Sequence, residues 1–355
     1  MGNYSNLEPK VALEKYRIKR GFIGVFLALA AGATWPFVGN LMTYAGGFPP
    51  YDGYYTTLWL MTITGLIIAA VHDTFAAIWL LIYNCITHRG KEYIRALRTR
   101  SAKICILAGL WGGPIATGCY SVALVFAPAP YVLAINALFP VFGTIFGVLF
   151  LKEKLSSRAW FGIIIVVAGA ILVGWAPPEG GSYPYFYIGI ALAVLSAIGL
   201  AADCATGTYG MDLLDPEIAS GIKLFSAGIS NGVIFCTIIS VLTSNGLINL
   251  RIFGEGLTTF PYAFILIIAA IFGATTWVVN YRSMNIIGAG RGMAINASFA
   301  VFGIPITGLF YLLGLASFSI TVTAVIGALV LFAGVVIVVI HPKELLINRK
   351  HQLNE

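Results

Sequence analysis

Long apolar runs alternate with short polar segments along almost the entire chain. A helix needs roughly 20 apolar residues to cross a bilayer core of about 30 Å, and ten runs approach or exceed that length. The pattern therefore predicts an all-α polytopic membrane protein with ten transmembrane helices. The predicted spans, numbered 1 to 10 in chain order, cover residues 21–44, 57–87, 102–126, 129–151, 159–175, 185–208, 216–243, 262–287, 289–313 and 320–340.

The composition agrees with a lipid environment. Residues of the set AVILMFWYC make up 59% of the 355 positions and charged residues only 10%, whereas ordinary soluble domains are about 25% charged. A water-soluble fold cannot hide so many apolar side chains, because even a large soluble protein needs a charged surface. These figures exclude a soluble enzyme, a disordered chain and a nucleic-acid-binding domain, so the expected partner is the lipid bilayer and not a nucleic acid.

The basic residues predict an orientation. Lys and Arg near helix ends stay on the cytoplasmic side of a membrane. With ten spans, twenty of the 21 Lys and Arg fall on or near one side, and only Arg251 is left for the other. This split predicts that both ends of the chain are cytoplasmic (N-in/C-in), with cytoplasmic tails over residues 1–20 and 342–355.

The chain also matches itself. Residues 134–143 (AINALFPVFG) in span 4 and 294–303 (AINASFAVFG) in span 9 are identical at eight of ten positions. Matching glycines recur in spans 5 and 10, so the repeat is five helices long. The predicted organisation is a first repeat over residues 21–175, a linker over 176–184 and a second repeat over 185–341.

The two repeats are predicted to be inverted. Because five is odd, the second repeat enters the membrane from the opposite side, and the basic loops of the first repeat have almost uncharged counterparts in the second. Two similar halves that face opposite ways can exchange conformations and open a central cavity to each side in turn. The alternative is that duplication merely enlarged a helical bundle.

One stretch carries a family resemblance. Residues 140–173 contain a proline near the centre of span 4, a Lys-Glu-Lys-Leu loop, Trp160 with Gly162, and an Ala168-Gly169 pair. This stretch resembles the EamA domain of the drug/metabolite transporter superfamily, and a weaker second copy lacks the proline at position 300. The resemblance implies a ten-helix secondary transporter whose central site is lined by spans 1–4 and 6–9. Members move many different metabolites, so the resemblance does not name a substrate.

Ionisable residues inside spans are costly and usually face a cavity or a partner. His72 and Asp73 in span 2 either carry a coupling proton or close a polar contact between helices. Asp203 in span 6 is either a cation or proton site or the structural partner of Lys223 in span 7. Arg282 near the end of span 8 either binds a substrate carboxylate or phosphate or extends to the membrane surface.

Buried amides and deep aromatic residues complete the candidate substrate site. Asn136 and Asn296 are a repeat-related pair that either bonds a substrate or links helices. Aromatic faces can hold a cation or stack on a planar ligand, although many membrane Trp residues are interfacial anchors. The aromatic candidates are Trp35, Trp111, Tyr120, Trp277 and Tyr281.

The expected function is secondary active transport of a small polar metabolite, a zwitterion or organic ion such as an amino acid, across the bacterial plasma (inner) membrane. Alternating access moves the substrate, and His72, Asp73 or Asp203 are the candidates for proton coupling. The rival hypothesis is a flippase of a lipid-linked intermediate or an accessory membrane subunit. The spacing of the residues predicts no catalytic group, metal or cofactor, and the protein is expected to be a monomer or homodimer.

Overall fold

A computed structural model describes residues 9–52, 57–151, 157–175, 183–211, 213–243, 246–316 and 320–339. All regular secondary structure in these residues is helical, as the apolar pattern predicts. Most of the predicted linker, the loop residues Lys152 and Lys154 and the predicted C-terminal tail lie outside the described residues.

Fifteen α-helices and one π-helical segment make up the described part of the chain. They are α1 (Pro9–Ala45), α2 (Leu58–Ile86), α3 (Gly90–Ala96), α4 (Arg100–Leu110), the π segment (Trp111–Gly118), α5 (Cys119–Phe126), α6 (Ala129–Asn136), α7 (Phe139–Leu151), α8 (Ser157–Gly174), α9 (Phe186–Gly210), α10 (Pro216–Thr243), α11 (Gly246–Thr258), α12 (Tyr262–Ile287), α13 (Ala289–Asn296), α14 (Phe299–Leu312) and α15 (Val322–Val339).

Seven segments of the described chain are long and apolar enough to cross a membrane, and they correspond to predicted spans 1–4, 6, 8 and 9. Spans 5 and 10 appear as the shorter apolar helices Trp160–Gly174 and Val322–Ile337. Span 7 corresponds to α10, whose 28 residues are sufficient by length. The chain is therefore a multi-pass helical membrane protein.

Predicted spans 4 and 9 are not continuous helices. Each breaks at the same repeat position, after Asn136 and after Asn296. In the first copy Pro140 explains the break, because its ring clashes with the carbonyl of the residue four positions earlier, which is Asn136. The second copy has Ala300 at that position. In the second copy, helix α1 packs against the break. A Cβ on Gly32 of α1 would lie 2.9 Å from the carbonyl oxygen of Asn296, so the two backbones are in close contact there.

Predicted span 3 contains the π segment in its middle. Pro114 has no N–H to donate and its ring clashes with the carbonyl of Leu110, so regular α-helical bonding is interrupted there. Gly112 and Gly113 precede it, and neither position has room for a side chain. Interruptions of an α-helix by π-helical bonding are frequent at functional sites.

The structure also contains helices that the apolar runs do not predict. Helix α1 begins at Pro9, well before residue 21, and α3 and α11 occupy segments expected to be loops. Helix α3 is anchored by buried Tyr93 and Ala96. Helix α11 carries an exposed salt bridge between Arg251 and Glu255. Helices this short and polar have no apolar run long enough to be recognised as spans.

Repeat-related residues pack against each other. Phe139 and Phe299, which occupy the same position of the two repeats, stack with ring centroids 5.9 Å apart. A Cβ on Gly143 would lie 2.9 Å from Met293, and a Cβ on the matching Gly303 would lie 2.9 Å from Leu133. These two contacts are symmetric partners, because Leu133 and Met293 are also at matching positions.

The repeat-related glycines of α8 and α15 let these two helices approach at backbone distance. A Cβ on Gly169 would lie 2.7 Å from Leu331 Cα and 2.8 Å from the Gly327 carbonyl oxygen. A Cβ on Gly327 would in turn lie 2.8 Å from the Gly169 carbonyl oxygen. Small residues that let two backbones approach are a common way to associate helices in lipid.

Replacement of Gly169 by alanine should therefore destabilise the protein by about 1–3 kcal/mol, the usual cost of forcing extra atoms into a packed interface. The measurement is thermal unfolding of purified protein in detergent. Gly174→Ala in the same helix is the control, because its Cβ would meet no atom closer than 3.5 Å. Equal unfolding temperatures for the two variants would contradict the close α8–α15 contact.

Candidate functional site

Four aromatic side chains from three helices meet in the middle of the bundle. Trp35 of α1 lies 5.6 Å from Tyr120 of α5 and 6.0 Å from Trp277 of α12, measured between ring centroids. Tyr281, about one turn further along α12, lies edge-on to Trp277 at 5.8 Å. All four are buried. We call Trp35, Tyr120, Trp277 and Tyr281 the aromatic cluster.

Two small cavities adjoin the aromatic cluster, and both touch Trp35, Leu200 and Trp277. Asn136 lines the first cavity, and Asn280 and Asn296 line the second. Each cavity offers about 10 Å³, which is close to the minimum needed for one water molecule. The centre of the bundle is thus nearly closed in this conformation.

Several buried polar atoms beside these cavities lack a hydrogen-bond partner among the described residues. They are the indole N–H of Trp35, the hydroxyl of Tyr120 and the side-chain oxygens of Asn280 and Asn296. An unpaired polar group in a dry interior is costly, and native proteins rarely keep several together without a reason. These atoms offer two donors and two acceptors to a polar molecule that enters the centre.

Asn136 differs from its repeat mate Asn296 because its amide is engaged. Its Nδ2 donates to Ser196 Oγ of α9 at 2.8 Å, and Ser196 Oγ donates to the carbonyl of Ala116 in the π segment at 2.7 Å. These two consecutive hydrogen bonds connect α6, α9 and the π segment. Asn136 therefore links helices at the edge of a cavity that it also lines.

A buried ion pair lies in contact with the aromatic cluster. Lys223 Nζ of α10 is 2.8 Å from Asp203 Oδ2 of α9, and neither side chain is exposed. The same ammonium lies 2.8 Å from the centroid of the Trp277 ring. The hydroxyl of Tyr281 donates to the other oxygen of Asp203 at 3.1 Å. Both charges are thus compensated in a region that water does not reach.

The π segment makes room for this ion pair. A Cβ on Gly112 would lie 2.6 Å from Asp203 Oδ2 and 2.7 Å from Lys223 Cε. A Cβ on Gly113 would lie 2.8 Å from Ala227 Cα of α10. The two glycines therefore allow α9 and α10 to bring their charged side chains together against the π segment.

A second polar contact connects α2 and α10. Asp73 Oδ1 is 3.0 Å from His72 Nδ1, and Asp73 Oδ2 accepts a hydrogen bond from Asn231 Nδ2 at 2.7 Å. All three side chains are buried. The Asp73 carboxylate thus has a partner on each oxygen. It makes a polar contact between helices, which is one of the two alternatives that the sequence allows for His72 and Asp73.

One end of the bundle contains an open vestibule of about 410 Å³. Its walls come from the end of α1, the junction of α5 and α6, the segment before α9 and the segment after α14. Asn40 and Leu124 are among its lining residues, and they lie about 6–8 Å along their helices from Trp35 and Tyr120. The vestibule therefore leads towards the aromatic cluster.

The opposite end is closed by ion pairs. Glu217, at the start of α10 and only 4% exposed, accepts from Arg282 near the end of α12 and lies 3.1 Å from Arg89 Nη1, just after α2. Asp215 lies 3.9 Å from the same Arg89 atom. We call these four residues the Glu217 cluster. It holds together the ends of three helices that surround the centre.

Helix α3 packs beside the Glu217 cluster. A Cβ on Gly221 of α10 would lie 2.8 Å from Tyr93 Cε2. Burial of Tyr93 raises the pKa of its hydroxyl to about 12, so it stays neutral at physiological pH. Ser283 of α12 adds a hydrogen bond to the Gly24 carbonyl of α1 at 2.8 Å. No central cavity reaches this end among the described residues.

The predicted site residues thus separate into groups. Trp35, Tyr120, Trp277 and Tyr281 come together, with Asn136, Asn296 and Asp203 close to them. Trp111 does not join them, because it is 38% exposed on the outside of the bundle and lines neither cavity. Arg282 is 42% exposed, pairs with Glu217 at the closed end and lines neither cavity.

Several residues that shape this site are not recognisable from the sequence. They include Glu217, Arg89, Asn231 and Ser196, and the sequence presents Lys223 only as a structural partner of Asp203. Their roles depend on helix neighbours far apart in sequence, such as Asn231 and Asp73. The sequence contains one signal for such a contact. Glu217 lies at the start of span 7, on the side of the predicted membrane where the basic loops accumulate, so it could have been expected to pair with an arginine.

Part of the chain is similar to known proteins. The sequence model of the EamA-like transporter family matches residues 22–175. The matched residues make up less than half of the chain. Protein LicB of Haemophilus influenzae is 24% identical over 238 residues, which cover 67% of this chain and 75% of that protein. The crystal structure of another protein aligns with a TM-score of 0.53 at 15% identity, covering 89% of this chain and 97% of that one, a likeness of fold alone.

The EamA-like match confirms the family resemblance drawn from the proline, the Lys-Glu-Lys-Leu loop and the Ala-Gly pair. It includes Trp35, Tyr120 and Asn136 of the site. Asp203 and Trp277 lie beyond it. The centre of the bundle is therefore assembled from the matched part and from the rest of the chain.

Loss of the Asn231 amide should destabilise the protein. Asn231→Leu leaves one oxygen of the buried Asp73 carboxylate without its donor, at an expected cost of about 1–3 kcal/mol or more. Thermal unfolding in detergent measures it. Ser230→Ala is the matched control, because the one side-chain bond that Ser230 makes among the described residues is to the Ala227 carbonyl of its own helix. A loss no larger in Asn231→Leu than in the control would disprove the importance of this interhelical bond.

Proposed function

We propose that this protein is a secondary active transporter that moves a small polar metabolite across the plasma membrane by alternating access. The observation that carries the proposal is the set of buried, unpartnered polar atoms at the bundle centre, between an open vestibule and an end closed by ion pairs. A transporter in one conformation needs this arrangement, because the site must communicate with one side of the membrane only.

The architecture that fits this function is ten transmembrane helices in two inverted five-helix repeats. The symmetric pairs Gly143–Met293 and Gly303–Leu133 support it, as does the break at the same position of spans 4 and 9. Discontinuous helices are typical of the midplane binding sites of secondary transporters. Both termini are cytoplasmic, which places the Glu217 cluster on the inner side and the vestibule on the outer side.

The substrate is a small zwitterion or organic ion. Trp35 and Tyr120 offer hydrogen-bond donors, Asn280 and Asn296 offer acceptors, and the Asp203–Lys223 pair adds one charge of each sign. A polar molecule with a charged group satisfies more of these atoms than an apolar compound does. The two cavities are too small for such a molecule, so binding requires the helices around the aromatic cluster to separate.

Proton movement provides the energy coupling, with His72, Asp73 and Asp203 as the carriers. His72 Nε2 has no hydrogen-bond partner among the described residues, and it faces Gly273 of α12, where a Cβ would lie 2.6 Å from it. The His72–Asp73 pair thus connects α2 to both α10 and α12. A change of protonation there alters contacts among helices that must move in alternating access.

Uptake into proteoliposomes tests the transport function directly. The expected result is a saturable flux of at least one member of a panel of amino acids, organic cations and organic anions. Trp35→Leu should reduce it by about tenfold or more, since the loss of an aromatic contact and a hydrogen bond costs roughly 1.4 kcal/mol or more. Trp111→Leu is the matched control and should retain the flux, because Trp111 faces outward.

Three outcomes of that assay would contradict the proposal. Folded protein that transports no compound above the liposome background contradicts transport of a small metabolite. Lipid scrambling without flux of any soluble compound favours the flippase alternative. Flux that does not change when a pH gradient is imposed contradicts proton coupling while leaving transport itself in place.

Neutralisation of Glu217 should open the closed end. Glu217→Gln removes the charge that holds both Arg89 and Arg282, so the population open at this end should rise about tenfold. Ser220→Cys, fully buried about one turn deeper in α10, reports this opening through its rate of modification by a maleimide. The reporter is built on Cys85→Ser, because Cys85 is the exposed free cysteine of the described residues.

Asp215→Asn is the matched control for this opening. Asp215 is half exposed, and its distance of 3.9 Å from Arg89 makes this a weak ion pair. Its neutralisation should therefore leave the maleimide rate nearly unchanged. If the Glu217 and Asp215 variants give the same rate as the parent, the Glu217 cluster does not keep this end closed.

A further inference from the structure

We propose that Lys223 is a tethered occupant of an ammonium-binding site, and that this site accepts a small free alkylammonium ion once the lysine side chain is removed or withdrawn. The site consists of the Asp203 carboxylate and the face of the Trp277 ring. Its location on a substrate path rests on the proposed function, but its existence as a binding site does not.

The position of the Lys223 ammonium is that of a bound ligand. Its Nζ is 2.8 Å from Asp203 Oδ2 and 2.8 Å from the centroid of the Trp277 ring, so it sits between a carboxylate and an aromatic face. A carboxylate together with an aromatic face is a recurrent way in which proteins recognise ammonium groups. A simple ion pair between helices requires only the carboxylate.

The receiving groups are held in place without the lysine. The hydroxyl of Tyr281 donates to Asp203 Oδ1 at 3.1 Å, and Tyr281 also packs edge-on against Trp277. Asp203 belongs to α9, and Trp277 and Tyr281 belong to α12. Lys223 alone comes from α10. The binding groups therefore remain assembled when α10 withdraws the ammonium.

The same helix connects the occupied site to the closed end. Glu217 and Lys223 both belong to α10, six residues or about 9 Å apart along its axis. A rigid displacement of α10 that separates Glu217 from Arg89 and Arg282 also pulls the Lys223 ammonium away from Trp277. The tethered ammonium thus keeps the site filled while the end with the Glu217 cluster is closed.

Chemical rescue tests this assignment. Lys223→Ala deletes the equivalent of propylammonium and leaves Asp203 without its counter-ion. Purified Lys223→Ala protein is heated in detergent with propylammonium chloride, with KCl at the same ionic strength, or with neutral 1-propanol. Propylammonium should raise the unfolding temperature of this variant by about 2–4 °C over both other solutions.

The controls isolate the site. The wild-type protein should show no such rise, because its own lysine fills the position. Lys103→Ala, which removes an exposed lysine, should also show none. The double variant Asp203→Asn/Lys223→Ala keeps the space but removes the carboxylate, and it should lose the response to propylammonium.

Three results would overturn the assignment. They are an equal response of Lys223→Ala to propylammonium and KCl, the same rise in the wild-type protein, and a retained response in the double variant. If Lys223→Ala is too unstable to purify without amine, the readout becomes the yield of monodisperse protein from extracts made with each solution, and equal yields overturn it. Rescue by propylammonium without any transport in proteoliposomes would support the ammonium site and reject the transporter proposal. Transport without rescue would reject the ammonium site and support the transporter proposal.

Discussion

The central constraint on this structure is that two full charges are buried where water does not reach. Asp203 and Lys223 are both fully buried, and removal of one member of such a pair typically costs about 3–5 kcal/mol. The pair therefore fixes the positions of α9 and α10. It also explains the glycines of the π segment, since any side chain at Gly112 would collide with the pair. The aromatic cluster lies directly against it.

The rest of the bundle arranges two different ends around this charged centre. At one end, helix junctions form a vestibule in whose lining the described residues include no charged side chain. At the other, three helix ends are tied through a single buried carboxylate, that of Glu217, to two partly exposed arginines. Because α10 carries both Glu217 and Lys223, the centre and the closed end are mechanically connected.

The apolar pattern predicted the helical class and the approximate positions of the seven segments of the described chain that are long and apolar enough to cross a membrane, because a bilayer imposes a length on any crossing helix. It missed the breaks after Asn136 and Asn296, since a break inside an apolar run does not alter hydropathy. The self-match and the aromatic residues predicted most of the central cluster. The pattern could not show that Arg282 pairs with Glu217 or that Trp111 faces outward, because those facts depend on how helices are rotated about their axes.

The central claim is that the aromatic cluster and its unpartnered polar atoms are where a polar metabolite binds. A thermal-shift screen of purified wild-type protein against a metabolite library tests it most directly, because any ligand that binds only the folded state raises the unfolding temperature. We expect at least one small zwitterion or organic ion to stabilise the wild-type protein and to have no such effect on Asn296→Leu. A ligand that stabilises both proteins equally would show that it binds elsewhere than at the aromatic cluster.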